Sequence, residues 1–391
     1  MNQTLIISGA GPTGLFCALK LAQNGINTVV LDPILSKHKP WSNNRTIALS
    51  YGSIQLLKQA GVDITSLLDV QINKIEHVHI SIQGKWGACN MHARDYDVDA
   101  LGYVISYSKL CQALYKTCLA NHNICFSAKK LLSHAYNEKT GLVDGCVEGN
   151  ITYSAPLIIV SEGSKIQQQY ALYSSKKFNA GTHQSCFNQY AHVGWVSLPN
   201  ISEKYKNTAF ERFTNQGPLA LLPYKYSDDE GQTYNYAIVW CSFNADSQLC
   251  NADKLQDILG WKLGKVQKLK IEQHFNLSPQ TRNILHQNQI VYIGNSAQSL
   301  HPVAGQGLNL GFRQAYILAD NIMNKYDLPT FVTRIQNDRL SMLCTTSIMS
   351  NIFTMPIPCL KQNLGCMLQV VDIIPAIKKK FAEHFMYGLR A

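Results

Sequence analysis

Charge is scarce in this chain: Asp, Glu, Lys and Arg make up 15% of its 391 residues. The 35 Lys and Arg exceed the 25 Asp and Glu, for a net charge of +10, but the longest basic block is Lys378-Lys379-Lys380. So diffuse a surplus does not make a nucleic-acid-binding arm; it fits an anionic membrane surface, an anionic cofactor or plain solubility equally well. No apolar stretch reaches the ~18 residues that a bilayer span needs, so any membrane contact is expected to be peripheral. The N-terminus lacks the positive charge of a signal peptide, and its apolar run soon meets Gly9 and Pro12, so the mature chain is expected to start at Met1. Twelve cysteines occur without a CxxC or a histidine at zinc-ligand spacing. They read as reduced thiols of a cytosolic protein, with no metal centre. Repeats and low-complexity segments are absent too. What remains, 46% hydrophobic residues with scattered glycine and proline, is the composition of a compact protein of two or three domains.

The chain opens on a short apolar strand, Leu5 to Ser8, a glycine turn from Gly9 to Gly14, and a helix that Gly25 stops; a second strand, Asn27 to Leu31, ends at Asp32. That order predicts a β-turn-α-β unit. Ile75 to Gln83 alternates as a half-exposed strand does, and its His77 and His79 read as a solvated face rather than as metal ligands. Leu101 to Leu119 reads as a helix, and Gly145 to Val160 as short strands. Between about Asn179 and Lys265, aromatic-rich segments (Cys186 to Val196, Phe210 to Thr214, Leu219 to Leu222, Tyr236 to Phe243) predict an inserted antiparallel sheet. Ile290 to Ile293 is again a buried strand, followed by a second glycine-rich turn and a helix from about Leu308. The fold expected is α/β: a discontinuous Rossmann-like domain (1–75, 100–177, 270–340), an inserted mixed β-sheet substrate domain (76–99, 178–269) and a C-terminal helical region (341–391).

Gly9-Ala10-Gly11-Pro12-Thr13-Gly14 is a GxGxxG turn lying between a strand and a helix, and Asp32 follows 18 residues after Gly14. Glycines there allow a tight turn and close backbone approach to a diphosphate, the helix N-terminus faces that diphosphate, and Asp32 can accept hydrogen bonds from a ribose. A dinucleotide is the expected ligand. No second unit of this kind exists for a nicotinamide cofactor. In the second turn, Asn295 ends a strand and can hydrogen-bond hydroxyls or a diphosphate without a carboxylate's repulsion. Gly305 and Gly307 let backbone N–H groups approach a ligand, and a helix starts near Leu308 with its positive end at that turn.

The segment Gly294 to Gly311, with Gly-Asn at its start and then Ala-Gln and His-Pro, resembles the second flavin motif of the FAD-dependent aromatic hydroxylases, the group A flavoprotein monooxygenases. In detail it is most similar to the ubiquinone-biosynthesis hydroxylases, in particular the octaprenyl-methoxyphenol hydroxylase branch. Asn44 to Leu49, Phe210 to Thr214, Gly217 to Pro223 and Gly365 agree with that branch. The resemblance implies FAD held by Gly9, Gly11, Pro12, Thr13, Gly14 and Asp32, with Arg45 near the diphosphate or adenosine and Gln112 by the ribityl chain. Asn295, Gly305, Gln306, Gly307, Leu308 and Asn309 are implied to line the flavin. It also implies NAD(P)H or another electron donor, molecular oxygen that adds at flavin C4a to give a hydroperoxide, and hydroxylation of a polyprenylated phenol in ubiquinone biosynthesis. No catalytic side chain is assigned. Phe213, Leu222, Pro223, Trp240 and Pro302, with Phe210 and Leu221, are the substrate-pocket candidates.

Two departures from the family pattern stand out: Ser161-Glu162-Gly163-Ser164-Lys165-Ile166 has Glu for Asp and Ile where Ser is common, and Asn43 stands where Asp is frequent. His301, beside Pro302, reads as a structural histidine more readily than as a general base. From Lys361 onward, apolar Ile373, Ile374, Ile377, Phe381, Phe385 and Met386 lie beside the basic block. They predict contact with a membrane surface or a lipid-binding partner, or equally a helix packed on its own domain. Cytoplasmic location, at the inner face of the membrane where contact occurs, and other ubiquinone-biosynthesis proteins as partners complete the expectation. Two other readings stay open: a soluble aromatic substrate, or a non-catalytic flavin-binding member of a biosynthetic complex.

Overall fold

The computed structural model describes residues 4–38, 40–42, 45–65, 67, 74–163, 182–184, 189–228, 230–277, 280–351 and 358–389. Asn43, Asn44, Ser164 to Ile166, Cys186, Arg390 and the side chains of Lys361 and Cys359 lie outside the described residues. Eight α-helices occur among the described residues: α1 (Pro12–Ala22), α2 (Tyr51–Gln59), α3 (Tyr107–Leu119), α4 (Ala252–Leu259), α5 (Gln306–Met323), α6 (Leu328–Asn351), α7 (Pro358–Ile373) and α8 (Pro375–Tyr387).

A six-stranded sheet runs in the order 286–287, 290–292, 158–160, 5–8, 28–31, 124–127, parallel throughout except for the edge pair 286–287 and 290–292. Its central strand, Leu5–Ser8, is buried on both faces, which is why it reads as a continuous apolar run rather than an alternation. Helices α1 and α5 pack on each other beside it through Phe16 and Phe312, whose ring centroids are 5.1 Å apart. Both rings are fully buried, and each contributes about 1.5–3 kcal/mol through the apolar area it removes from water.

A seven-stranded sheet follows the order 268–277, 189–197, 233–242, 217–227, 208–214, 77–82, 88–92. It is antiparallel except where 208–214 runs parallel to 77–82. One face is covered by α4, whose Asn251 cap accepts a hydrogen bond from the Lys254 N–H at 2.9 Å and whose Leu255 and Leu259 pack on Leu219, Leu221, Ile238 and Trp240. The other face is turned toward the six-stranded layer and leaves a cavity.

Two elements differ from the sequence expectation. Residues 102–106 form a strand, not the first turns of a helix from Leu101. Tyr103, Val104 and Ile105 favour extended backbone and pair with Leu49, Ala48 and Ile47, and α3 begins only after Ser106, whose hydroxyl caps it. The strand Lys268–Leu277 carries the large sheet past residue 269. Its alternating charged and half-buried residues are those of a solvent-facing edge.

At the C-terminus, Pro375 takes the first helical position of α8, where its missing N–H removes no hydrogen bond. The apolar residues of this region divide. Phe381 and Phe385 are half-buried and Met386 buried against the cavity, whereas Ile373, Ile374 and Ile377 are exposed. No described helix is long and apolar enough to cross a membrane.

Candidate active site

Each glycine of the N-terminal turn answers a different demand. Gly9 has φ +110°, and a Cβ there would lie 2.8 Å from the Ser161 carbonyl carbon, so neither torsion nor space admits a side chain. A Cβ at Gly14 would lie 2.5 Å from Ser161 Oγ, so that glycine lets α1 lie close on the sheet. Gly11 is unlike both. Its φ is −76°, and a Cβ would meet nothing nearer than the Tyr107 hydroxyl at 3.9 Å. None of the described residues requires glycine there; what its absent side chain keeps open is the cavity wall. Asp32 fastens the turn, its Oδ2 accepting from Ala10 N–H and its Oδ1 from Ile34 N–H, both at 2.8 Å. Each carboxylate oxygen retains acceptor capacity. The Arg45 guanidinium stacks 4.2 Å over the Tyr107 ring, and both residues line the cavity.

Thr13 joins this turn to the second. A Cβ on Gly294 would come 3.1 Å from its Cγ2, and one on Gly311 would come 2.7 Å from its Oγ1. Gly305, with φ +62°, turns the chain into α5, and Gly307 in the first turn repeats the pattern of Gly11: a Cβ would meet only Asn295 Oδ1, at 3.9 Å. Asn309 is a fastener. Its Oδ1 accepts from Ser50 N–H at 3.0 Å and Ser53 Oγ at 2.7 Å, and its Nδ2 donates to Ala48 O at 3.3 Å and Gly305 O at 3.0 Å. Its amide is fully engaged within the protein. Gln306 donates to Ala304 O and Phe385 O, while its buried Oε1 meets no donor among the described residues.

Both glycine turns open on one cavity of about 940 Å³. Gly9, Gly11, Pro12, Thr13, Asp32, Arg45, Asn295, Pro302, Gly305, Gln306, Gly307, Leu308, Asn309 and Leu222 line it. Several sequence candidates do not. Gly14 lies behind the wall. Gln112 is exposed on α3 and away from the cavity; the residue of α3 that reaches it is Tyr107, in the first turn. Phe213, Pro223 and Trp240 are buried off the cavity wall, as is Leu221. Strand alternation explains Leu221 and Trp240: Leu222 and Val239 face the cavity, so their neighbours face α4. The apolar wall comes instead from Ile80, Met91, Val239, Met349, Phe381 and Phe385. Those on α8 were visible in sequence only as an amphipathic stripe.

Three titratable groups on this wall are strongly perturbed, and in the first, Tyr107, burial pushes the hydroxyl up. Burial pushes the Glu211 carboxyl up to about 8, partly offset by the Ala304 backbone N–H. Burial holds His301 down at about 4. With its Nδ1 accepting from Val303 N–H at 3.2 Å, its Nε2 must carry the proton shared with Gln189 Oε1 at 3.1 Å. His301 is thus a neutral, structural histidine.

The residues present fit a long anionic cofactor. Helices α1 and α5 both begin at the cavity wall, with no acidic residue in the first turn and no side-chain cap, so their N–H groups and positive ends are available to phosphate or to a ring that gains negative charge. Residues 2–134 match the FAD binding domain family. Over 335 residues the chain is 26% identical to the 3-demethoxyubiquinol 3-hydroxylase of Escherichia coli, covering 82% of this chain and 79% of that one. Over 347 residues it is 24% identical to the ubiquinone hydroxylase UbiM of Neisseria meningitidis, covering 83% and 69%. Among solved structures, p-nitrophenol 4-monooxygenase of Pseudomonas putida shares the fold, with a TM-score of 0.72 at 15% identity over 99% of this chain and 100% of that one. Glycine turns, cavity and relatives agree: residues 2–134 carry an FAD binding domain, and the chain as a whole is similar to FAD-dependent hydroxylases of ubiquinone biosynthesis.

Proposed function

We propose that this protein hydroxylates the aromatic ring of a polyprenylated phenol on the route to ubiquinone. The observation that carries the reading is the continuity of one cavity, from an end built of uncapped helix N-termini and open glycines to an end walled by aliphatic and aromatic side chains. In this reading the diphosphate of FAD lies against Gly9 to Gly14, Asp32 holds the ribose, and Arg45 attends the diphosphate or adenosine. Asn295 and the backbone of Gly305 to Asn309 meet the ribityl chain and ring. Gln112 has no part in it. Bound FAD supplies the activation of oxygen, with electrons from NAD(P)H or another donor. In this reading the protein holds the ring in register with the flavin and keeps water out, and Leu222, Pro302, Phe381 and Phe385, which line the cavity, serve both tasks.

A polyprenyl tail gains ~0.8 kcal/mol per CH₂ buried in lipid, so the enzyme has to collect its substrate at a membrane surface. Supporting this is the outward side of α7, where Met367, Val370 and Ile373 are exposed, followed by exposed Ile374 and Ile377 and, one turn on, Lys379 and Lys380. A cytoplasmic enzyme in peripheral contact with the membrane, and with other proteins of the pathway, fits such a surface.

The test is turnover by the purified flavoprotein with NAD(P)H and a short-chain prenylphenol. A product heavier by one oxygen atom, with substrate-dependent NAD(P)H oxidation, is expected. Hydroxylation confined to water-soluble phenols would overturn the prenyl assignment. Stoichiometric FAD without turnover of any phenol would leave a flavin-binding scaffold instead.

A further inference from the structure

The strand Thr208–Thr214 sends Ala209 and Glu211 toward the cavity, and Glu211 is the acid at its apolar end. Its neighbours on the adjoining strands are Ile80 and Ala220, and no charged side chain among the described residues acts on it electrostatically. Arg212, next in sequence, points to the other side of the sheet, where it bonds Ile258 O and Ser81 Oγ. Cys241, a buried thiol on the strand 233–242, is the other titratable group among the described residues close enough to feel the carboxyl. The residue is half-buried and lines the cavity, and its Oε1, closed off from solvent, has no hydrogen-bond partner among the described residues. An unpartnered buried carboxyl oxygen is strongly disfavoured unless something completes it.

We propose that Glu211 is the catalytic residue that receives the substrate's phenolic hydroxyl and takes up its proton. The inference rests on the hydroxylase reading and deepens it. In the step, the phenol O–H bond breaks and a carboxyl O–H bond forms on Glu211, with no change of oxidation state. The phenolate oxygen then releases electron density into the ring that is to be attacked, and the proton returns to the product hydroxyl, so each cycle begins with the carboxylate.

Burial makes this carboxylate a much better base than an ordinary one. Against a phenol near 10, a carboxyl at about 8 faces a proton-transfer disadvantage of about 10²-fold, whereas the ordinary 4.5 would make it more than 10⁵-fold. A base of this strength is matched to the operating pH. A purely structural role makes a different demand. Holding the Ala304 N–H requires only an acceptor oxygen, and glutamine supplies one.

Glu211→Gln therefore separates the two roles. Single-turnover hydroxylation of a short-chain prenylphenol is measured across pH, with bound FAD assayed in every variant to report folding. The wild-type rate is expected to rise with pH to a plateau above about 8. Glu211→Gln is expected to hold full FAD, lose that rise and slow by about 10²–10⁴-fold, while Glu211→Asp keeps the rise at a reduced rate. A chromophoric phenol that binds as its phenolate in the wild type should bind as the neutral phenol in Glu211→Gln. If Glu211→Gln matches the wild type in rate and pH profile, or binds the phenolate equally well, the proposal falls and the hydroxylase reading stands. If the wild type hydroxylates no phenol, both fall together.

Discussion

Gly307→Ala tests the meaning of the open glycines most directly, because it sets stability against cofactor affinity. Gly307 lies in the first turn of α5, and a Cβ would have 3.9 Å to its nearest neighbour, Asn295 Oδ1. The apoprotein should therefore accept alanine and gain up to ~0.8–1 kcal/mol of helix propensity and unfolded-state entropy. The methyl group occupies cavity wall, however. If the flavin lies against that wall, the methyl must displace it by a large fraction of an ångström, and a tenfold to hundredfold loss of affinity (about 1.4–2.8 kcal/mol) is expected. Gly311, one turn later, is the internal control: its Cβ would lie 2.7 Å from Thr13 Oγ1, so Gly311→Ala should destabilise the apoprotein by about 1–3 kcal/mol through overpacking. Denaturant unfolding of apoprotein and fluorescence titration with FAD measure the two quantities. A Gly307→Ala protein that is stabilised and binds FAD as the wild type does would refute the assignment of this wall to the cofactor.

Two further outcomes are expected. His301 is held neutral down to about 4 in the folded chain and titrates near 6.5 when unfolded. Between these values the unfolded state binds the extra proton, so folding weakens as pH falls from about 6.5 toward about 4, by ~3 kcal/mol at most. His301→Asn should flatten that dependence in urea titrations at pH 7 and pH 5 even if it lowers stability at both; an unchanged slope would contradict the assignment. Lys378 is held by Asp372 at 3.0 Å, so the basic charge offered to a membrane comes from Lys379 and Lys380. Co-sedimentation with vesicles containing anionic lipid should fall when both are changed to Glu, and equal binding by both proteins, or none by either, would remove the electrostatic contact.

The glycine turns were legible because they are written in the backbone. Gly9 and Gly305 need positive φ, and Gly14 and Gly311 need close approach, so their positions in sequence carry their geometry with them. Side-chain roles were less legible, because they depend on which face of an element looks inward. On the strands 217–227 and 233–242, moving by a single residue exchanges the cavity for the packing against α4, which separates Leu222 from Leu221 and Val239 from Trp240. Gln112 misled for a similar reason: on α3 the face that carries Leu110, Cys111 and Leu114 is the buried one, and residue 112 falls outside it.

Glu211 shows where the remaining information lay. In sequence it is one acid between Phe210 and Arg212, indistinguishable from a solvent-facing residue of a half-buried strand. The strand pairing makes the difference, because the parallel partner 77–82 and the antiparallel partner 217–227 leave Arg212 to bond outward and turn Glu211 inward. Charge pairing between neighbours, which would have been the economical arrangement for two such residues, is thereby given up. A fold that separates an adjacent acid and base onto opposite faces of one strand leaves the acid without a counter-charge in an apolar chamber. That arrangement is tolerable only if the group titrates upward or meets a hydrogen-bonding ligand, and a phenol satisfies the second condition while using the first.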